Sequence, residues 1–481
     1  MNSFLLTAVC AGAIAALAGC ASDGGSRPQS RIAAAEGLTA ENALRTAQLS
    51  PAAWPRQDWY MRYGDAQLDA MIKEALANNP GIRVVDARVR QAAAVAGVAA
   101  SAQSPQLSAG ARTSRQLFSA NSTVPKPLAG NWAWSNDAGV NLSYELDFWG
   151  KNEAGLAAAI GRLRANEVES RAARLMLAVT ITQAYLRLSQ TWAQLDLAEA
   201  TLRQREQVLA LTAQRVHAHI DSRVDLKQAE MALPVQREQL AATREALTLA
   251  RYQLAALLGA GPDRGDAITR PRLPKSAPVA VPAYLPSDLI ARRPDLVAQR
   301  WRVEAAAQDI KLAQAQFLPS FNLGALIGLQ SLGFERFLNG SSRTTGAGSV
   351  LSLPIFDGGR LRGNLAARDA EYDAAVEQYN LTLLEAVRDV ASQLTSIAAL
   401  AERAALQADA LAAAQQANDL AMQRYRAGVG NYLQVLATEV QVLAQSRASI
   451  DLDTRAFDLE IGLVRALGGG YAMDVAAPAL N

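Results

Sequence analysis

The chain has 481 residues, more than one ordinary hydrophobic core holds, so two or more structural regions are expected. Its 47 basic and 45 acidic residues leave a net charge of +2, which gives no reason to expect nucleic acid or an acidic polymer as partner. Half of the residues are hydrophobic and the mean hydropathy is +0.01, a balance that suits a folded protein and excludes a bundle of membrane helices. Aromatic residues make up only 6%, alanine is abundant and long stretches lack proline, a mix that favours long helices with small side chains at their contacts.

At the N terminus, Phe4–Gly19 forms one apolar run ending Leu17-Ala18-Gly19-Cys20. The run is shorter than the roughly 18 residues that span a bilayer, so residues 1–19 are expected to be a signal peptide. The ending resembles the lipobox of bacterial lipoproteins, which implies an acyl (palmitate) anchor on Cys20, although residues 2–9 carry no Lys or Arg. Ala21 follows, where an Asp in this class often causes inner-membrane retention. A plain secretory signal with a cysteine nearby is the alternative. Cys10 and Cys20 are the only cysteines, so cleavage leaves no pair for a disulfide. No other apolar stretch is long enough to span as a helix, so any membrane crossing must be a β-barrel.

Residues 20–79 form an N-terminal segment, after which Asn79-Pro80-Gly81 opens a helix that stops at Ser104-Pro105-Gln106. Proline fits the first turn of a helix and not its interior, so these prolines mark boundaries. Strand-like stretches follow at about 106–118 and 132–147, then a long helix over 152–216, a tight turn, and a return helix over 224–258 that Pro234 is expected to kink. After a linker at 261–293 the order recurs. A helix from Pro294 is followed by strands at about 320–331 and 346–357, a long helix over 363–425, a return helix over 432–467, and a tail at 469–481.

The chain therefore reads as two copies, residues 80–260 and 294–468. Pro80 and Pro105 are 25 residues apart, and so are Pro294 and Pro319. Leu146-Asp147-Phe148-Trp149-Gly150-Lys151 parallels Phe356-Asp357-Gly358-Gly359-Arg360, and Gln214-Arg215-Val216 parallels Gln423-Arg424-Tyr425. The offset of 209 in the latter pair also carries Glu230 onto Glu439 and Leu258-Gly259 onto Leu467-Gly468. In the second long helix Tyr372, Val376, Tyr379, Leu383, Val387, Val390, Leu394, Ile397, Ala401, Ala404, Ala408 and Leu411 recur at spacings of three and four, a coiled-coil seam with one stutter. Sixty-odd helical residues reach on the order of 95 Å, too long for a compact domain. An opening helix plus a return helix matches that reach, which predicts one long helix beside two shorter ones stacked end to end, twice.

The strand segments alternate. Leu107, Ala109 and Ala111 share a face, as do Val140, Leu142, Tyr144 and Leu146; Phe321, Leu323, Ala325, Ile327 and Leu329; and Leu351, Leu353 and Ile355. This pattern suits transmembrane barrel strands or the core strands of a soluble sandwich. The loops 119–131 and 331–345 are polar or Gly-rich, and Phe118, Trp132, Trp134, Trp149, Phe334, Phe337 and Phe356 lie near strand ends, where aromatic girdles belong. Four strands cannot close a barrel and an open edge cannot sit in lipid, so several chains must contribute. Two chains give eight strands with a filled interior; three give twelve, which can leave a pore.

Four stretches resemble one family. Trp59-Tyr60-Met61-Arg62-Tyr63-Gly64-Asp65 with Gln67-Leu68, then Glu74-Ala75-Leu76-Ala77-Asn78-Asn79-Pro80, resembles the N-terminal signature of the TolC-like outer-membrane factors, close to the NodT and OprM lipoprotein branch. Leu285-Pro286-Ser287-Asp288-Leu289-Ile290-Ala291-Arg292-Arg293-Pro294-Asp295 resembles the mid-chain signature, Leu353-Pro354-Ile355-Phe356-Asp357-Gly358-Gly359-Arg360 the exit of the last strand, and Arg424–Leu433 the second hairpin tip. The resemblance implies a mainly α protein with a small β part and a protomer made of two structural repeats. It implies a homotrimeric twelve-stranded transmembrane β-barrel in the outer membrane, continuous with a long periplasmic α-helical barrel. An equatorial belt would come from 40–79, 261–286 and the C-terminal tail. The open end would dock a periplasmic adaptor bound to an inner-membrane efflux pump, commonly of the resistance–nodulation–division type. The implied function is passive exit of small molecules, as in multidrug resistance, with outer-membrane lipid as surroundings and no cofactor. The runner-up is an exit duct for protein or polysaccharide secretion, and a lipid-tethered periplasmic coiled-coil scaffold is the reading from another class.

In this family the hairpin tips close the periplasmic end. Leu433 matches the apolar gate position, next to Gly428, Gly430, Asn431 and Tyr432 of the second tip, while Ala437 stands where many relatives carry an acidic residue. In the first hairpin Asp225 aligns with Gln434; it either supplies pore charge or is a first-turn carboxylate favourable at the helix N-terminus. Gly428 and Gly430 are expected to serve the turn's backbone. His217 and His219 are the only histidines, and a trimer would gather six imidazoles near one axis, which allows a metal or pH response or simple turn residues. Asp147 and Asp357 are expected to cap the helices that leave the strands. No H-E-x-x-H, G-x-S-x-G or G-x-x-x-x-G-K occurs, so no catalytic, cofactor or metal residue is assigned, the chain is not expected to be an enzyme, and energy must come from a partner.

Overall fold

The computed structural model describes residues 24–34, 54–121, 123–273 and 292–471. The signal run, Cys20, most of the mid-chain signature and the tail beyond Tyr471 lie outside the described residues. A short 3-10 turn, Trp59–Tyr63, precedes α1 (Ala66–Asn78) and α2 (Pro80–Ser101). β1 (Gln106–Leu117) and β2 (Trp132–Leu146) lead into α3 (Lys151–His217), α4 (Arg223–Leu257) and the single turn α5 (Asp263–Asp266). Then come α6 (Pro294–Ala315), β3 (Ser320–Leu332), β4 (Arg343–Ser352), α7 (Arg360–Arg426) and α8 (Tyr432–Ala466). The two copies match in length: α3 and α7 have 67 residues each, α4 and α8 have 35 each. α4 continues through Pro234 as one helix. Among the described residues no helix is long and apolar enough to cross a membrane.

The chain folds into two compact units, one from residues 1–32, 88–166 and 299–379, the other from 33–87, 167–298 and 380–481. Each unit draws on both sequence copies, so the compact units are not the repeats.

The first unit holds a four-stranded antiparallel sheet in the order β1-β2-β3-β4. Cross-strand register joins the separate sequence alternations into one apolar face: Ala109 lies opposite Val140, Val140 opposite Ile327, Tyr144 opposite Leu323, and Leu146 opposite Phe321, itself opposite Leu351. Small and polar residues such as Ser108, Asn141, Gly139, Gly324 and Gly328 take the other face. Much of the apolar face is exposed in a single chain, with Leu107 at 72% and Ile327 at 59% exposure, while Val140, Tyr144, Leu146 and Phe321 are half-buried. β1 and β4 each have one unpaired edge. Below the sheet, Ile310, Ala313 and Phe317 of α6 pack on Leu361 and Leu365 of α7. Asp147 accepts the Glu153 N–H at 2.8 Å, and Asp357 accepts those of Gly359 and Leu361 at 3.0 and 2.8 Å, so both aspartates start the long helices.

β4 corrects the expected strand at 346–357. It begins at Arg343 and ends at Ser352, so Leu353 and Ile355 do not continue the face of Leu351. Pro354 has no N–H to give to a ladder, and Asp357 is committed to the helix start. Within one chain the seam of α7 is covered over only part of its length. Val376, Tyr379, Leu383, Val390 and Leu394 are buried, whereas Ala401, Ala404 and Ala408 are exposed.

The second unit is built on a core of Leu68, Met71 and Ile72 of α1 against Ile181, Tyr185 and Leu188 of α3, Leu254 and Leu258 at the end of α4, and Ile461 of α8. The N-terminal signature is a latch on this core. Asp65 starts α1 by accepting the Gln67 N–H at 3.0 Å, and its other oxygen accepts the Tyr185 hydroxyl at 2.7 Å and the Arg272 N–H at 2.9 Å. Arg62 pairs with the buried Glu460 at 3.0 Å. The repeat reappears as contact. Asn79 Nδ2 donates to the Leu257 carbonyl at 2.8 Å, and Arg293 Nη1 donates at 3.4 Å to the carbonyl of Ala466, the residue 209 places after Leu257. Beside them a Cβ on Gly259 would lie 2.7 Å from the Asn78 oxygen, and one on Gly468 would lie 2.0 Å from the Arg292 oxygen, with φ of +77° and +87°. Only glycine fits both places.

Candidate functional site

The two helical hairpins, α3–α4 and α7–α8, bring their turns together in the second unit. In the first turn Ser222 accepts the Asp225 N–H at 3.3 Å, and the Asp225 carboxylate accepts the Ser222 N–H at 2.9 Å, a reciprocal cap that starts α4. The Ser222 hydroxyl donates to the same Asp225 oxygen at 2.6 Å. In the second turn Gly428 takes φ +77°, and the backbone of Gly430 passes so close to Tyr425 that a Cβ would lie 2.9 Å from its nitrogen. Asn431 then starts α8 by accepting the Gln434 N–H at 3.0 Å. Asp225, Gly428, Gly430 and Asn431 therefore all shape the turns. Tyr432 is 3% exposed and packs in a cluster with Val208, Ala229, Tyr425 and Val435. Its ring centroid lies 6.4 Å from that of Tyr425. Leu433 points outward at 54% exposure, joined by Val429 on the same turn and by Ile220 and Val224 on the first.

The centre of the site is a group of which the sequence offered Arg215 and Tyr425 as repeat markers and Asp221 not at all. Arg215, near the end of α3, holds Asp221 of its own turn through two hydrogen bonds of 2.8 and 2.9 Å, and both side chains are 8% exposed. From α7, Tyr425 donates its hydroxyl to Asp221 at 2.7 Å and shares a 2.7 Å hydrogen bond with Thr212. Arg215 also donates to the Tyr425 carbonyl and, at 3.5 Å, to that of Gly430, and its guanidinium lies over the Tyr425 ring, 4.3 Å from the centroid. The hydrogen bonds from Arg215 hold the Asp221 carboxyl below its usual range. Burial, above all, pushes the Tyr425 hydroxyl up to about 12. One aspartate thus ties the two hairpins through an arginine and a tyrosine. A second tie lies further along, where Arg205 of α3 donates to Glu439 of α8 at 2.8 Å and to the Ala232 carbonyl of α4 at 3.1 Å. Glu439 is buried, while Glu230, its counterpart in the other copy, pairs with Lys227 at the surface.

His217 and His219 are exposed, and His219 takes a φ of 56° in the turn. Among the described residues no group of His, Cys, Asp or Glu is placed to hold a metal. No sequence motif announces the Arg215–Asp221–Tyr425 group, because its members come from different turns and are not equivalent in the repeat. The one available signal was an Arg-Val in one copy set against an Arg-Tyr in the other.

A family model described as "Outer membrane efflux protein" matches residues 71–260 and 285–469. The fusaric acid resistance protein FusA of Burkholderia cepacia is 42% identical over 357 residues, which cover 74% of this chain and 67% of that protein. The multidrug resistance outer membrane protein MdtP of Escherichia coli is 32% identical over 431 residues, 88% of each. Among solved structures, the outer membrane protein VceC of Vibrio cholerae superposes with a TM-score of 0.81 at 36% identity, covering 87% of this chain and 100% of that one.

Proposed function

Since the chain belongs to the outer membrane efflux protein family, as the TolC-like signatures implied, we propose that it is the exit duct of a tripartite efflux system. Three copies close their sheets into a twelve-stranded barrel in the outer membrane and their helices into a periplasmic duct. The observation that carries this reading is the sheet itself. It has an apolar face largely exposed in one chain and two unpaired edges, an arrangement that lipid tolerates only when neighbouring chains close the ring. The outward alternation of Leu107, Val140 and Ile327 against glycine and polar residues matches a lipid face and a wet interior.

The hairpin tips are the gate. Arg215, Asp221 and Tyr425 lock the two hairpins of one protomer, and the exposed Leu433 of each copy lines the constriction. Ile220, Val224 and Val429, exposed at the same turns, are the apolar docking points for a periplasmic adaptor, which in turn binds an inner-membrane pump of the resistance–nodulation–division type. Asp225 serves the fold of the tip through its reciprocal cap. Relatives named for resistance to fusaric acid and to multiple drugs favour small molecules as cargo. Lipid on Cys20 is a supplementary anchor.

The test pairs biochemistry with physiology. The purified protein is expected to be a trimer by native mass spectrometry, to form pores in planar bilayers, and on deletion to sensitise cells to a toxic-compound panel without changing the secreted proteins. A monomer without conductance would overturn the reading.

A further inference from the structure

Residues 24–33 form no helix or strand, yet they are held in place. Ser26 donates its hydroxyl to the Asp369 carboxylate, and the backbone N–H groups of Gln29 and Ser30 both donate to one oxygen of Asp373, at 2.9 and 2.8 Å. Gln29 also reaches the second oxygen at 3.1 Å. Nearer the N terminus, Gly24 lies against the Arg362 side chain, where a Cβ would be 3.5 Å from its Cδ. The contacts advance together: 24 meets 362, 26 meets 369, and 29 and 30 meet 373. The segment therefore runs parallel to α7, with its N-terminal end toward the start of that helix, which follows β4 after Leu353–Gly359. At Ala33 the N–H donates to Asn380 at 2.8 Å.

Only one copy of the repeat provides this seat. α3 and α7 open at Lys151 and Arg360, an offset of 209, which places Ile160 and Arg164 where α7 carries Asp369 and Asp373. Neither side chain can accept a hydrogen bond. Asp369 is moreover only 4% exposed, a burial that costs a carboxylate dearly unless donors meet it, and the Ser26 hydroxyl is one such donor.

The geometry points to a clip: Asp369 and Asp373 seat the segment that follows Cys20 on α7 and so fix where the lipid anchor enters the membrane. The inference rests on the reading above, that Cys20 is acylated and the sheet lies in the outer membrane. From Gly24 the chain reaches back to Cys20 over at most ~14 Å, whereas a segment released as far as Ala33 would let the anchor wander over ~45 Å. Seating Gly24 at the start of α7 keeps the acyl chains beside the end of the sheet that adjoins the helices.

Trypsin reads the clip on the intact protein in outer membranes. Arg31–Ile32 is the susceptible bond, because Arg27 precedes a proline. Asp373→Ala removes the acceptor, and Ser30→Pro removes a donor while leaving the helix untouched. Both are expected to raise cleavage at Arg31 ~10-fold over the parent, scored by mass spectrometry of the released fragment. In parallel, spin labels on Ser22→Cys and Gly363→Cys, diluted with unlabelled subunits, should give a narrow distance distribution that broadens in both variants. Equal cleavage and equal widths in parent and variants would overturn the clip. Palmitate labelling of the parent against Cys20→Ser separates the two ideas. Loss of the acylation reading shows as an unlabelled parent whose segment is still protected, whereas a labelled parent cut as fast as its variants refutes the clip alone.

Discussion

Tyr425 donates its hydroxyl to Asp221 at 2.7 Å, so a residue of the second hairpin holds one of the first. Because Arg215 grips the same carboxylate with two hydrogen bonds, one aspartate at the tip is held from both hairpins. Tyr425→Phe keeps the ring under the guanidinium and deletes only the hydroxyl. It is expected to loosen the tip by about 1 kcal/mol, seen as faster amide exchange at Ile220, Asp221 and Val429 and a higher open fraction in planar bilayers. Unchanged exchange would show that the hydroxyl holds nothing.

Asp221→Ala should do more. It strands the Arg215 guanidinium at 8% exposure, a loss of about 3–5 kcal/mol in a buried pair. Replacing both partners together, Arg215→Met with Asp221→Leu, should cost clearly less than Asp221→Ala alone. Thermal unfolding of the extracted protein, with exchange at the tip, checks that order.

The Arg215–Asp221–Tyr425 group also sets a pH window. The folded Asp221 pKa lies below the ordinary 3.8, so its contribution is complete above that value and is lost as pH falls through the lowered one. Tyr425 is shifted the other way, from 10.0 to about 12, so its contribution is complete below 10 and is lost as pH rises toward 12. Tip amide protection should therefore be flat between these limits and fall on both sides. In Tyr425→Phe the alkaline fall should shrink while the acid one persists.

The sheet predicts an asymmetry between its faces. Ile327→Arg puts a charge on the apolar face and should cost about 2–4 kcal/mol if that face meets lipid, with loss of the heat-modifiable barrel on gels. Asn141→Arg, on the opposite face, should insert normally and change only conductance. The reverse result would invert the proposed orientation.

Gly468→Ala should prevent accumulation of folded protein, because its Cβ would fall 2.0 Å from the Arg292 oxygen at a φ of +87°. Gly363→Ala meets nothing within 4 Å in the first turn of α7 and is expected to be neutral or slightly stabilising. Yield and thermal unfolding of the two variants decide this.

How much of this was legible in advance depended on the range of the signal. Proline pairs, turn glycines and seam spacing act within a few residues, and the observed helices open at Pro80, Lys151, Arg223, Pro294, Arg360 and Tyr432. Asp147 and Asp357 start the long helices because a carboxylate two to six residues from the waiting N–H is a local device. Period-two alternation likewise assigned Leu107, Val140 and Ile327 to shared faces, although Leu353 and Ile355 carried the same pattern beyond Ser352, where the ladder ends.

By itself the sequence determined the two copies, the long helices, the alternating strands and the lipobox-like start, since each is fixed by periodicity or by neighbours along the chain. The tertiary structure alone decided that compact units mix the copies, that Tyr432 is core while Leu433 is exposed, that Glu439 is buried where Glu230 is not, and that Asp221, Arg215 and Tyr425 meet. Those outcomes turn on contacts between segments some two hundred residues apart, where burial and charge pairing depend on which helix lies alongside, and no local pattern encodes that.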